Sequence, residues 1–73
     1  MHDYKEIFPQ RLNQVRLERG LTLKQLGEKV GVIMQTVGHW ETGHARPNLL
    51  VFCRLADVLG CSLDFLVGRS DNP

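Results

Sequence analysis

Apolar residues in the middle of the chain recur with helical spacing. Leu26 and Val30 are four residues apart and Val37 and Trp40 are three apart, so each pair lies on one helical face. Gly31 separates the two pairs, and glycine ends helices because it readily adopts the left-handed conformation. The pattern predicts two short helices joined by a glycine turn.

Capping residues and glycines predict the other helix boundaries. Thr22, Asn48 and Ser62 suit N-caps, because their side-chain oxygens accept hydrogen bonds from first-turn amides. No segment alternates apolar and polar residues, so strands are not expected. The predicted fold is all-α, a compact bundle of five short helices containing a helix-turn-helix. The helices are expected at 9–19, 23–30, 33–42, 47 or 48 to 59, and 63–67, with a polar tail at 69–73.

The start of the first helix is open between two alternatives. Asp3 and Glu6 have capping-box spacing, whereas Pro9 suits the first position of a helix. Gly27 lies inside the second helix, where glycine costs roughly 1 kcal/mol against alanine, which indicates that another helix crosses closely there. The expected inward positions are Leu12, Val15, Leu26, Val30, Ile33, Val37, Trp40, Glu41, Leu49, Phe52, Leu55, Ala56 and Leu59.

Length and composition indicate one globular domain. The chain has 73 residues, of which 42% are hydrophobic, so residues 1–73 are expected to form one unit with its core at about 8–68. No apolar run approaches the roughly 20 residues of a membrane span, and the charged start lacks a signal-peptide core. We therefore expect a cytoplasmic protein that does not associate with membranes.

Enzymatic and metal-binding functions find little support in the sequence. There is no phosphate-binding loop and no nucleophile-elbow serine. His39 and His44 together with Cys53 and Cys61 raise the possibility of zinc, but zinc fingers need a close cysteine pair before the histidines. The cysteines lie about 12 Å apart along a helix, too far for a disulfide. We expect packing thiols, no metal and no cofactor.

The distribution of charge is more informative than the net charge of +1. Between residues 29 and 54 the basic side chains are Lys29, Arg46 and Arg54, and two histidines lie among them. Glu41 is the only acidic residue in that window. A locally basic surface favours nucleic acid as the partner.

The order and spacing of the apolar residues and glycines from Leu26 to Trp40, followed by Glu41-Thr-Gly and Pro47, resemble the Cro/repressor-type (Xre-type) helix-turn-helix proteins. Leu59-Gly-Cys-Ser-Leu-Asp-Phe-Leu is similar to the closing segment of that family, and the resemblance covers about residues 8–68. It implies a phage-repressor-like domain that binds double-stranded DNA as a small transcriptional regulator, a repressor rather than an enzyme. The matching positions are Leu26, Gly27, Val30, Gly31, Val37, Trp40, Glu41-Thr-Gly and Pro47.

The outward face of the third helix has the chemistry needed for reading bases. Gln35 can pair with adenine through two hydrogen bonds, His39 can donate to guanine or phosphate, and Met34 can touch a thymine methyl. Gly38 would let the helix approach the groove floor. The resemblance places base contacts at these same four positions, whereas the alternative is an ordinary solvated helix face.

Flanking residues are expected to contact the DNA backbone: Thr22, Lys24, Thr36, Thr42, His44 and Arg46. Simple solvation of Lys24 and Arg46 is the alternative. The resemblance also implies a structural ion pair between Arg16 and Glu41. Ile33 stands where the family usually has a serine or threonine cap, so the third helix is expected to lack one.

The fourth helix carries apolar residues where the family is usually polar. Leu50, Val51 and Val58 are expected on its outer face, and an exposed apolar patch indicates an interface. Together with Leu63, Phe65 and Val67 they predict a homodimer on a palindromic operator, with half-sites about one DNA turn apart. The competing hypothesis is a protein-interaction module, such as an antitoxin that binds a toxin.

Overall fold

Five helices and no strands make up the part of the chain that the computed structural model describes, residues 3–73. Residues 1 and 2, which the predicted domain includes, lie outside that range. In chain order the helices are α1 Tyr4–Glu18, α2 Leu23–Val30, α3 Met34–Thr42, α4 Leu49–Leu59 and α5 Leu63–Val67.

The first helix begins after its N-cap Asp3 and not at its proline. Asp3 is the N-cap and accepts a hydrogen bond from the Glu6 amide, so α1 starts five residues before Pro9. Pro9 lies buried inside the helix, where its missing N–H leaves the Lys5 carbonyl without the usual donor. The alternative start at Pro9 was therefore wrong.

Local signals set the boundaries of α2 and α5 as predicted, whereas α1 ends one residue early at Glu18 and α4 begins at Leu49, after its cap Asn48. Thr22, Asn48 and Ser62 each accept a first-turn amide hydrogen bond at the start of α2, α4 and α5. The glycine after each of α2, α3, α4 and α5 is left-handed, with φ between 68° and 85°. Ile33 is the N-cap of α3 and not its first residue.

All five helices contribute to one apolar core. Its fully buried side chains are Leu12, Val15, Leu26, Val30, Val37, Leu55, Leu59 and Leu66. Two expected inward positions were wrong, because Ile33 is 66% exposed and Leu49 is 71% exposed. Both stand at the start of a helix, Ile33 as the N-cap of α3 and Leu49 as the first residue of α4.

The polar tail folds back onto the helices. Arg11 of α1 donates to the carbonyl oxygens of Phe65 and Ser70 at 2.8 and 3.1 Å, and it pairs with Asp71 at 2.7 Å. The Ser62 amide donates to the Pro73 carbonyl. These contacts hold residues 70–73 against α1 and the start of α5.

Candidate nucleic-acid interface

The helix α3 is anchored by one face and exposed on the other. Val37 and Trp40 are buried in the core, whereas Gln35 and His39 lie on the surface. Met34 is also exposed, and Gly38 is half-buried. The four predicted base-contact positions are therefore all accessible along α3.

The turn before α3 is tight because two glycines permit it. Gly31 adopts φ 85°, and both its amide and that of Val32 donate to the Gly27 carbonyl. A Cβ atom on Gly27 would lie 2.5 Å from the Val32 carbonyl oxygen. The predicted close approach at Gly27 is therefore present, although the neighbour is the turn itself and not a crossing helix.

A buried ion pair locks α3 onto α1. The Arg16 Nε donates to Glu41 Oε2 at 2.6 Å and its Nη2 donates to Oε1 at 3.1 Å, a bidentate geometry. Both side chains are about nine-tenths buried. The Arg16 Nη1 also donates to the Leu21 carbonyl, which ties α1 to the start of the helix-turn-helix. The ion pair between Arg16 and Glu41 that the resemblance implies is thus present in the structure.

Sequence reasoning missed one member of this network. The Asn13 side-chain amide donates to Glu41 Oε1 at 2.8 Å. Asn13 lies three residues before Arg16, so the two share a face of α1. The three-residue spacing of Asn13 and Arg16 was the feature of the sequence that could have revealed this hydrogen bond. With this third donor the Glu41 carboxylate has every oxygen satisfied and contributes little free negative charge to the outer surface of α3.

The amino-terminal end of α3 has no side-chain cap. The Ile33 side chain offers no acceptor, and no side-chain hydrogen bond is made to the first turn. Its backbone carbonyl still accepts from the Thr36 and Val37 amides. The Met34 and Gln35 amides therefore stand at the start of α3 without a side-chain acceptor within residues 3–73, and amides at such a position favour an anion.

At the other end of α3, Thr42 organises the side chain of His44. The Thr42 hydroxyl lies 3.1 Å from the Gly38 carbonyl and 2.7 Å from His44 Nδ1. When the hydroxyl donates to the carbonyl, its oxygen accepts a hydrogen bond from protonated Nδ1. The His44 and His39 rings lie 6.2 Å apart, so two histidines occupy one end of the exposed face.

The remaining predicted backbone contacts flank this face. Thr22 and Gln25 form a reciprocal capping box at the start of α2, and Lys24 is exposed in the same turn. Thr36 is half-buried in α3, and Arg46 is exposed in the loop that follows it. Arg46 has no ion-pair partner among residues 3–73, so its charge is available to an outside group.

The arrangement matches a family of known proteins. A helix-turn-helix family model matches residues 12–66, which include α2, the glycine turn and α3 in full. The chain belongs to the Cro/repressor-type helix-turn-helix family.

Relatives of this helix-turn-helix domain include regulators and solved repressor structures. The HTH-type transcriptional regulator YobD of Bacillus subtilis is 36% identical over 70 residues, which are 92% of this chain and 60% of that protein. The P22 c2 repressor, solved with a synthetic operator, is 28% identical with a TM-score of 0.79, covering 82% of this chain and 91% of that one. The restriction-modification controller protein C.AhdI from Aeromonas hydrophila is 29% identical with a TM-score of 0.77, covering 89% and 99%.

The chain spans about half to three-fifths of the length of the curated relatives it matches, 60%, 56% and 51% in three of them. None of the helices within residues 3–73 is both long and apolar enough to cross a membrane.

The dimer or partner interface predicted on α4 and α5 is only partly exposed. Leu50 is 72% exposed, and its neighbour Leu49 joins it at the start of α4. The side chains of Val51, Val58 and Leu63 pack against the core and are half-buried, and Val67 is half-buried as well.

Phe65 was wrong as an interface residue. It is buried in the core, and the Arg11 guanidinium lies over its ring at 4.2 Å from the centroid. The cation therefore covers the surface that a partner would have to contact.

The two cysteines of the helix-turn-helix domain are free and half-buried. Burial raises the pKa of the Cys61 thiol above its ordinary value, and the positive charge of Arg19 only partly offsets this. A thiol with a raised pKa stays protonated at neutral pH and is a poor metal ligand. No group of three or more potential metal ligands occurs among residues 3–73.

Proposed function

We propose that this domain binds double-stranded DNA as a transcriptional regulator, a repressor, with α3 in the major groove. The observation that carries the proposal is the division of α3 into a face buried through Val37 and Trp40 and an exposed polar face. A major groove admits one α-helix, and a helix held by its buried face presents fixed side chains to base edges. The P22 c2 repressor, whose fold is similar, is solved with an operator.

In this proposal the bases are read by Met34, Gln35, Gly38 and His39. Gln35, which follows Met34, is exposed, and its side-chain amide carries the donor and the acceptor that adenine requires. His39 lies one helical turn further on and donates to guanine or to phosphate. Met34 contacts a thymine methyl, and the missing side chain of Gly38 allows the close approach.

Phosphates are proposed to bind around the edges of the same face. The candidates are Thr22, Lys24, Thr36, Thr42, His44 and Arg46. Arg46 is supported by its exposure and lack of an internal partner, and Thr42 acts mainly by orienting His44. The uncapped amides at the start of α3 add donors of the kind that bind phosphate.

The test begins with selection of bound sequences from a random DNA pool, followed by titration with the selected site. Replacing Gln35 or His39 by alanine is expected to weaken specific binding by about 1–3 kcal/mol each, the usual cost of a lost base contact. The folding stability should not change, because both side chains are exposed. Affinity should also fall steeply with salt, because phosphate contacts release counterions.

Gln14→Ala is the matched control, since Gln14 is exposed on α1 and its side chain contacts Glu18. Equal losses of affinity in the Gln14 and Gln35 variants would contradict the proposed role of α3. Failure of the selection to enrich any sequence would contradict specific recognition altogether.

We further propose that two copies of the domain bind one palindromic operator. The support is the exposed pair Leu49 and Leu50 at the start of α4, since two adjacent leucines that are each about 70% exposed are typical of a contact surface. A dimer of helix-turn-helix domains reads half-sites separated by about 34–36 Å, one turn of DNA. Such a regulator would act in the cytoplasm, where its operator is accessible.

A further inference from the structure

A cleft of about 470 Å³ lies beside the proposed DNA-binding surface. It is bounded by the start of α1, the loop between α3 and α4, and side chains of α4 and the last residue of α5. Its volume falls within the range of small-molecule sites, about 300–1,000 Å³. The apolar residues that line it are Tyr4, Phe8, Pro47, Phe52 and Val67.

Two aromatic rings form part of the cleft wall. The rings of Phe8 and Phe52 meet edge to face, with centroids 5.5 Å apart and planes at 80°. In this geometry the edge of one ring packs against the face of the other, which is a favourable arrangement of two aromatic rings. A third aromatic ring entering the cleft would meet an apolar surface with which it can make the same kind of contact.

The charged residues of the cleft favour an anion. Lys5 and Arg46 line it, and neither takes part in an ion pair within residues 3–73. The one acidic lining residue, Asp3, already accepts the Glu6 amide hydrogen bond as the N-cap of α1. The cleft therefore has an excess of one positive charge next to an aromatic surface.

We propose that this cleft binds a small aromatic carboxylate. The ring packs against Phe8 and Phe52, and the carboxylate pairs with Arg46 and Lys5. A carboxylate suits Arg46 in particular, because the guanidinium fork matches its two oxygens. Apolar walls with a few convergent charges are the usual composition of such a site.

Ligand binding in the cleft has a consequence for the regulator. Arg46 is also a proposed phosphate contact, so a carboxylate that engages it withdraws one cation from the DNA. The ligand therefore weakens operator binding and acts as an inducer. This consequence rests on the proposed function, whereas binding of the carboxylate does not.

The experiment is a titration of the isotope-labelled chain with phenylacetate in the absence of DNA. Binding is monitored through the amide chemical shifts. Phenylacetamide, which has the same ring without the charge, is the matched probe. Phenylacetate is expected to shift the amides around Phe8, Arg46 and Phe52 and to bind more tightly than the amide. Shifts confined to other parts of the chain, or equal binding of the two probes, would overturn the proposal.

Variants locate the carboxylate. Arg46→Gln and Lys5→Gln are each expected to weaken phenylacetate binding by about fivefold, the effect of one partly exposed charge pair, and to leave phenylacetamide binding unchanged. Arg54→Gln is the control, because Arg54 is exposed on α4 but does not line the cleft. Equal losses in the Arg54 and Arg46 variants would overturn the proposal.

A further outcome concerns a second copy of the chain as the occupant. Cleft amides that shift with protein concentration in the absence of ligand, and do not respond to phenylacetate, would overturn the carboxylate site. Operator binding is measured separately with and without phenylacetate. If phenylacetate binds but no operator is found, the cleft stands and the proposed function fails.

Discussion

Two glycines inside helices have opposite surroundings, although the same conformational cost applies to each. A Cβ atom at Gly27 would meet the Val32 carbonyl oxygen at 2.5 Å, whereas one at Gly38 would meet nothing within 4 Å. The packing of α2 against the turn therefore requires Gly27. Nothing within residues 3–73 requires Gly38, and in the proposed function the missing side chain would allow the close approach of the DNA.

The two corresponding alanine variants should behave in opposite ways. Gly38→Ala is expected to raise the free energy of unfolding by about 1 kcal/mol, because alanine is the better helix former, and to weaken operator binding. Gly27→Ala should lower the free energy of unfolding, because backbone atoms have to move. Urea denaturation and DNA titration measure the two effects. Unchanged operator affinity in Gly38→Ala would contradict the groove contact at this residue.

At the scale of an element, α3 differs from its neighbours in how it begins. Helices α2, α4 and α5 each have a side-chain oxygen that accepts a first-turn amide, and α3 has Ile33 in that place. Isoleucine contributes little packing there, since it is 66% exposed. The position of α3 is set instead by Val37, Trp40 and the Glu41 ion pair.

Ile33→Thr should therefore stabilise the domain. A threonine hydroxyl at an N-cap is worth about 1 kcal/mol, and little buried apolar area is lost in exchange. Thermal or urea unfolding measures the gain. Ile33→Val is the control, because valine has the shape of threonine without the hydroxyl that would cap α3. A gain of the same size in both variants would show that lost surface hydrophobicity, and not capping, is responsible.

For the whole molecule, the proposed assembly depends on the exposed leucines of α4. Leu50→Glu should leave the fold intact, because the side chain is 72% exposed, and should shift the monomer–dimer equilibrium to monomer. Sedimentation equilibrium at protein concentrations on the order of 10 µM measures the shift. Leu17→Glu is the control, since Leu17 is an exposed leucine of α1. A wild-type chain that remains monomeric, both alone and on a palindromic operator, would contradict the dimer.

Local interactions explain why so many helix boundaries were predictable. A cap or a left-handed glycine acts within three or four residues, so Thr22, Gly31 and Asn48 reveal their roles in the sequence itself. The inward stripe of α3 was predictable in the same way from the spacing of Val37 and Trp40. The exposed polar face on the opposite side followed directly from helical geometry.

The sequence by itself determined the family, the five helices and the face of α3 proposed for base reading, because these depend on spacing and on short-range hydrogen bonds. Only the tertiary structure decided that Ile33 and Leu49 are exposed, since burial depends on which other parts of the chain pack against a residue. Only the fold brought Arg11 over Phe65 and brought α1, α4 and α5 around one cleft. The contacts of α1 with Phe52 and Phe65 join residues more than 40 positions apart, and a local sequence pattern carries no information about such pairs.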